Sequence, residues 1–192
     1  LLLPVVGGIA MADRLPRDLQ HAVRELQRST PLSRSAYVLG KYLAALLSVL
    51  TPVLAVWLIW LAVFFFHGAD VAFAGQAMVA FLAVVVPAYA FVGAFSIACP
   101  AVLPVRVYQV LFTGYWYWGN YFNPNFMPTL NGTYLTPSGV FAASGFFGSA
   151  VRAGQTSTSA GDAVVNLVVL AICAGGALVA LERYLAWREA AA

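Results

Sequence analysis

Four long apolar segments constrain the fold of this chain more than any other feature. A helix needs about 20 apolar residues to cross a hydrocarbon layer about 30 Å thick. Segments that approach or exceed this length run over residues 41–66, 75–99, 105–122 and 163–181, and the third is short and rich in aromatic side chains. Hydrophobic residues make up 62% of the 192 positions, well above the roughly 45 to 50% of a soluble domain. We therefore predict an all-α polytopic membrane protein.

The first twelve residues, LLLPVVGGIAMA, are apolar but too short to cross a membrane by themselves. They show neither the charged start nor the cleavage site of a signal peptide. We expect residues 1–12 to be the end of a further span whose beginning precedes Leu1. The predicted fold is thus the end of one span followed by four transmembrane helices.

The distribution of lysine and arginine predicts the orientation of these spans. If the spans alternate in direction, nine of the ten cations lie on one side and Arg152 alone lies on the other. Short cytoplasmic loops retain positive charge. Residues 13–40, the turn at 100–106 and the C-terminus are therefore predicted to be cytoplasmic, in a plasma (inner) membrane, and residues 67–74 and 123–162 to face outward. The nine cations are Arg14, Arg17, Arg24, Arg28, Arg34, Lys41, Arg106, Arg183 and Arg188.

Within the cytoplasmic segment, residues 16–28 have the pattern of a short amphipathic helix. Leu19, Ala22, Val23 and Leu26 recur at the spacing of one helical face. Such a helix can lie among lipid headgroups with its basic face against anionic lipid, or it can dock onto a soluble partner. Thr30 and Ser33 are both candidate caps for the helix that follows.

The run DRLPRDLQHAVRELQRSTPLSRSAYVLGKY resembles the cytoplasmic signature of ABC exporter permeases of the type-2 family. In that family an R-D dipeptide, a short helix ending in E-L, then S-T-P-L-S-R and G-K lead into the next span. The matching residues here are Arg17, Asp18, Glu25, Leu26, Ser29, Thr30, Pro31, Leu32, Ser33, Arg34, Gly40 and Lys41.

The resemblance implies a layout and a set of partners. Family members have six spans, a docking segment after the second and an extracellular re-entrant region before the sixth, so this chain would contain the end of the second span through the sixth, without the N-terminal part of the family domain. A separate ATP-binding cassette subunit would carry ATP and Mg, and a second permease subunit would complete a homo- or heterodimer. The implied docking residues are Arg17, Asp18, Leu19, Val23, Glu25, Leu26, Ser29, Thr30 and Pro31.

The outer segment, residues 123–162, is interrupted by Pro124, Pro128 and Pro137 and is rich in Gly and Ser. We predict short re-entrant helices here, one of them starting near Thr136, with a disordered loop as the alternative. Aromatic residues gather close to this segment, either as an anchoring belt at the headgroup level or as contacts for an amphiphilic substrate. The substrate-path candidates are Tyr115, Trp116, Trp118, Phe141, Phe146 and Phe147.

Small residues recur four apart in the last span, as Ala171 with Gly175 and Gly176 with Ala180. This spacing permits close contact between helices. We expect the contact to be packing within the chain rather than a dimer interface.

Several classes of function are disfavoured by what the sequence lacks. The interiors of the four long segments contain no Asp, Glu, His or Arg of the kind that proton- or sodium-coupled carriers use. The sequence has no Walker phosphate loop, and no catalytic residues or metal site can be assembled from it. We therefore expect a transport subunit powered by a separate ATPase, without its own enzymatic activity and without a nucleic-acid partner. The alternative is a non-transporting membrane scaffold or accessory subunit of a larger complex.

Overall fold

The computed structural model describes residues 3–20, 33–149 and 158–191, and throughout these residues the regular structure is entirely helical. Its helices are α1 (Leu3–Ala12), α2 (Arg14–Gln20), α3 (Arg34–Phe66), α4 (Val71–Ala101), α5 (Val105–Tyr121), α6 (Val140–Phe147) and α7 (Ala160–Ala190).

Three of these helices, α3, α4 and α7, are long and apolar enough to cross a membrane, with mean hydropathies of 2.5, 2.3 and 2.6 over their most apolar windows. Helix α5 covers the predicted segment 105–122 but has only 17 residues, about 25 Å at 1.5 Å per residue. The all-helical membrane fold is thus supported, and α5 is a helix shorter than the other three.

Two helices extend beyond the apolar segments read from the sequence. Helix α3 begins at Arg34 rather than at residue 41, because the Ser33 hydroxyl accepts a hydrogen bond from the Ala36 N–H and caps it. Helix α7 runs from Ala160 to Ala190, beyond both ends of the predicted span 163–181. Polar ends of this kind extend a helix into the headgroup layer without changing its apolar centre.

The second half of α4 forms the centre of the bundle and packs against α1, α3 and α7. Val92, Ala94 and Ile97 on this half are 0% exposed. Helix α4 also contains a π-helical turn at Phe81–Val85, in which the Val86 N–H donates to the Phe81 carbonyl. Pro87 follows directly and has no N–H for the usual hydrogen bond, which accounts for the local change in winding.

In the described part of the outer segment, residues 123–149 and 158–162, one short helix, α6, precedes α7 and packs against its start. It begins at Val140, three residues later than the predicted start at Thr136–Pro137. Gly139 precedes it in a left-handed conformation, with φ of 76°, and Thr136 is instead buried, with its hydroxyl donating to the Leu130 carbonyl. This part of the prediction therefore placed the helix start too early.

Candidate functional site

The candidate site is the junction between α2 and the ends of the long helices. Helix α2 starts two residues after α1 ends, and Met11, Ala12 and Leu15 are at most 1% exposed. Helix α2 also contacts the last turn of α4, Cys99–Ala101. Its start is therefore anchored in the bundle by apolar packing.

Asp18 on α2 is held by two side chains of α3. The Lys41 Nζ lies 2.6 Å from Asp18 Oδ2, and the Tyr37 hydroxyl donates to the same oxygen at 3.0 Å. The Lys41 and Asp18 side chains are 23% and 19% exposed, so water screens the pair only partly. Hydrogen bonds to charged groups typically contribute about 1.5 to 3 kcal/mol, and these contacts fix α2 to the start of α3.

A second ion pair connects α3 to α7. The Arg34 Nε lies 2.7 Å from Glu189 Oε2, with side chains 56% and 23% exposed. An exposed pair of this kind contributes about 1 kcal/mol or less to stability. Its main effect is positional, because it joins the first turn of α3 to the last turn of α7. Together with the Asp18 contacts, it places the start of α3, the end of α7 and α2 at one end of the bundle.

The predicted docking residues are only partly within the described structure. Arg17 is exposed and pairs with Asp13, the residue directly before α2, whereas Asp18 turns inward to α3. Leu19 lies in α2, but its side chain is outside the described residues, as are the remaining predicted docking residues, Val23, Glu25, Leu26, Ser29, Thr30 and Pro31.

The six predicted substrate-path residues have different surroundings in the structure. Trp116 and Phe141 are buried, at 2% and 7% exposed. Tyr115 lines a groove that also includes Phe91 and Phe95 of α4, and neither Trp116 nor Phe141 lines this groove. The more exposed residues are Trp118, whose Nε1 donates to the Pro128 carbonyl at 2.9 Å, and Phe146 and Phe147, whose ring centroids are 6.5 Å apart.

Polar contacts and close packing hold the outer segment onto α7. The Tyr134 hydroxyl donates to Asp162 Oδ1 at 2.7 Å, and this hydrogen bond raises the pKa of Tyr134. The Asn166 amide donates to the carbonyls of Tyr134 and Thr136. At Gly145 a Cβ would lie 2.5 Å from the Ser159 carbonyl oxygen, so α6 approaches α7 more closely than a larger residue would allow.

Tyr37 and Glu189 belong to the junction but were not predicted from the sequence. Tyr37 lies four residues before Lys41, which places both on one face of a helix. This spacing could have indicated that Tyr37 lies beside Lys41 in the junction. No such local signal exists for Glu189, because its partner Arg34 is 155 positions away in the chain. Among the described residues, no three His, Cys, Asp or Glu side chains are grouped so that they would hold a metal ion.

Comparisons with known proteins give no relative from which a role for this junction can be transferred. No family model, no curated protein and no solved structure matches the chain.

Proposed function

We propose that this chain is the transmembrane permease subunit of an ATP-driven exporter, powered by a separate ATP-binding cassette subunit that docks on residues 16–31. The observation that carries the proposal is the attachment of Asp18 to Lys41 and Tyr37. A partner that displaces α2 acts through these contacts on α3, which is long and apolar enough to span a membrane.

The proposed coupling has two steps. Movement of α2 is transmitted to the start of α3 through Asp18, and movement of α3 reaches the end of α7 through Arg34 and Glu189. ATP binding on the partner would favour one of two arrangements of these helices, as coupling between distant sites requires. The exposed Arg17 is available to the partner.

The proposed substrate is apolar or amphiphilic, and it moves outward. A charged group at the bilayer centre costs at least about 2.5 to 3.5 kcal/mol, and the described spans supply no opposite charge at that depth. Trp118, Phe146 and Phe147 are the more exposed of the aromatic candidates and are the preferred contacts at the outer end. Exposed apolar faces, such as Val164, Val168 and Ile172 on α7, are available for lipid or for a second permease subunit.

The second candidate function is a scaffold or accessory subunit without transport. It is favoured by the burial of Trp116 and Phe141, which is the arrangement expected of structural packing. Stable association with a complex that lacks any ATPase would support this candidate, whereas co-purification with a protein bearing a Walker phosphate loop would support the permease.

We predict that residues 13–40 and the C-terminus are cytoplasmic and that Arg152 is outside. The contacts that join α2, the start of α3 and the end of α7 bring Arg34 and Lys41 to one end of the bundle, and cytoplasmic ends retain positive charge. Single cysteines at positions 28 and 152 should react differently with a membrane-impermeant reagent on intact cells, with only position 152 labelled. Labelling of position 28 from outside would contradict the orientation.

We also predict that the apolar stripe of the docking segment is required for coupling. Replacing Leu19, Val23 or Leu26 singly by Asp should reduce permease-dependent ATPase stimulation at least tenfold, because a charged side chain would lose the apolar contact with the partner. Each variant should still insert into the membrane, since the spanning helices are untouched. Normal stimulation in all three variants would favour the helix lying on lipid instead.

A further inference from the structure

A cavity of about 190 Å³ lies between the start of α1, the middle of α3, the π-helical turn of α4, the end of α5 and residues 137–138 of the outer segment. Tyr89 and Trp116 line it and are each 2% exposed. At 1.5 Å per residue, they lie about 16 to 18 Å from the ends of α4 and α5 nearest the α2 junction. This depth is close to the middle of a bilayer whose hydrocarbon layer is about 30 Å thick.

Four polar atoms of the cavity lining are buried without a hydrogen-bond partner among the described residues. They are Trp57 Nε1, Tyr89 Oη, Trp116 Nε1 and Ser138 Oγ. A buried polar group without a partner costs about 1 to 3 kcal/mol, and the hydrocarbon layer supplies no bulk water to satisfy it. Four such groups therefore belong to residues around one space.

Other polar side chains in the helices contrast with these four. Ser96 and the Tyr108 hydroxyl are 2.8 Å apart, and Thr51 and Thr113 donate to carbonyls of their own helices. Among the described residues, four of the five buried side-chain atoms without a partner belong to residues that line this cavity, and the fifth is Asn120 Oδ1.

Specific features of the backbone form the cavity. Val84 and Val85, both in the π-helical turn, line one side of it, and π-helical turns occur frequently at functional sites. Gly139 brings the outer segment against this turn, because its φ is 76° and a Cβ there would lie 2.4 Å from Val84 Cγ1. This close approach places Ser138 at the cavity.

The chemistry of the lining defines what the cavity would bind. The two indole groups are donors only, and the two hydroxyl groups both donate and accept, so the ligand must present oxygen acceptors. None of the described residues that line the cavity is charged, and an anionic ligand at this depth would be left uncompensated. Aromatic rings and aliphatic side chains form the remaining walls.

We propose that this cavity binds a neutral, oxygen-rich group carried by an amphiphile. A glycerol ester and a sugar head share this chemistry of hydroxyl, ether and carbonyl oxygens beside an apolar chain. Binding requires only this chain, so it is measured without any ATPase, and its outcome is independent of the transport proposal.

The test uses the indole N–H signals of the ¹⁵N-labelled full-length protein in nanodiscs of an ether-linked phosphocholine, which has no ester carbonyls. The probes are monoolein, a glycerol ester, and dodecyl glucoside, a sugar amphiphile. We expect one of them to shift the signals of Trp57 and Trp116 saturably. The signal of Trp118 should not move, because its Nε1 already donates to Pro128. The probe that acts identifies the source of the ligand.

Matched variants connect the shifts to the cavity. Trp116→Phe keeps an aromatic ring but removes the donor, and Ser138→Ala removes a hydroxyl outside the helices. Each should weaken binding roughly three- to tenfold, as expected for one lost hydrogen bond, while Trp60→Phe, at an exposed site, should have no effect. The proposal is overturned if neither probe gives a saturable shift, if octadecene gives the same shift, or if both cavity variants bind normally.

Discussion

Replacing Asp18 by Lys is expected to destabilise the junction between α2 and α3 and to abolish ATPase stimulation by the partner. The substitution removes the acceptor of the Tyr37 hydroxyl and sets a second cation against Lys41, whose side chain is only 23% exposed. Breaking a buried ion pair costs about 3 to 5 kcal/mol, and partial exposure reduces this to roughly 2 to 3 kcal/mol. Thermal unfolding in detergent measures the loss of stability, and ATPase stimulation after reconstitution with the partner measures coupling.

The control for this prediction is a charge swap. Combining Asp18→Lys with Lys41→Asp restores opposite charges at the same two positions and should recover at least half of the lost stability and coupling. Asp13→Ala removes only the pair with Arg17 on the surface of α2 and should change stability by less than about 0.5 kcal/mol. If Asp18→Lys stimulates the ATPase normally, α2 does not act on α3 through this contact.

Replacing Gly8 by Leu is expected to prevent α1 from packing and to reduce the yield of folded protein severely. A Cβ at Gly8 would lie 2.5 Å from a ring carbon of Phe112 and 3.0 Å from Val92 Cγ1. Both neighbours are themselves buried, at 5% and 0% exposed, and cannot move aside. Overpacking a core typically costs about 1 to 3 kcal/mol, and a full leucine here should exceed that range. Size-exclusion chromatography and thermal unfolding measure the loss.

Two glycines of α7 provide the matched control for Gly8. Apart from the backbone of α7 itself and the neighbouring residues in the chain, no described atom lies within 4 Å of a Cβ built at Gly175 or Gly176, so leucine at either position should leave the isolated subunit folded. A normal melting temperature for Gly8→Leu would contradict the packing of α1 against α4 and α5.

The glycine positions show what the sequence can and cannot predict about helix packing. The small residues four apart in α7 predict a close contact within the chain, yet Gly175 and Gly176 face open space among the described residues. The close approaches are instead at Gly7 and Gly8 of α1 and at Gly145 of α6. A spacing identifies a face on which contact is permitted. Which face meets a neighbour depends on how distant helices are arranged.

The helical segments themselves were largely predictable, because apolar length is a local property of the sequence. Local chemistry narrowed the cap of α3 to Thr30 or Ser33, and in the structure the Ser33 side chain accepts the hydrogen bond from the first helical turn. Contacts between distant segments were not predictable in this way. The pair of Arg34 with Glu189 and the cavity between Tyr89 and Trp116 arise only when the helices assemble.

The π-helical turn could be predicted from the sequence only in part. Pro87 within an apolar segment predicts a local disturbance of the helix, but the sequence does not state whether the result is a kink or a change of winding. In the structure the disturbance is the turn at Phe81–Val85. Its consequence, a cavity lined by unpaired polar atoms, depends on side chains from α3, α5 and the outer segment.

The most direct test of the proposed function is site-specific photocrosslinking in intact cells. A photoreactive residue at position 17, exposed on α2, is compared with one at position 71, the first residue of α4 at the opposite end of the bundle and 80% exposed. The permease proposal predicts that position 17 forms an adduct with a protein that carries a Walker phosphate loop and that position 71 does not. Adducts at position 17 with lipid alone, or with a complex that contains no ATPase, would contradict it.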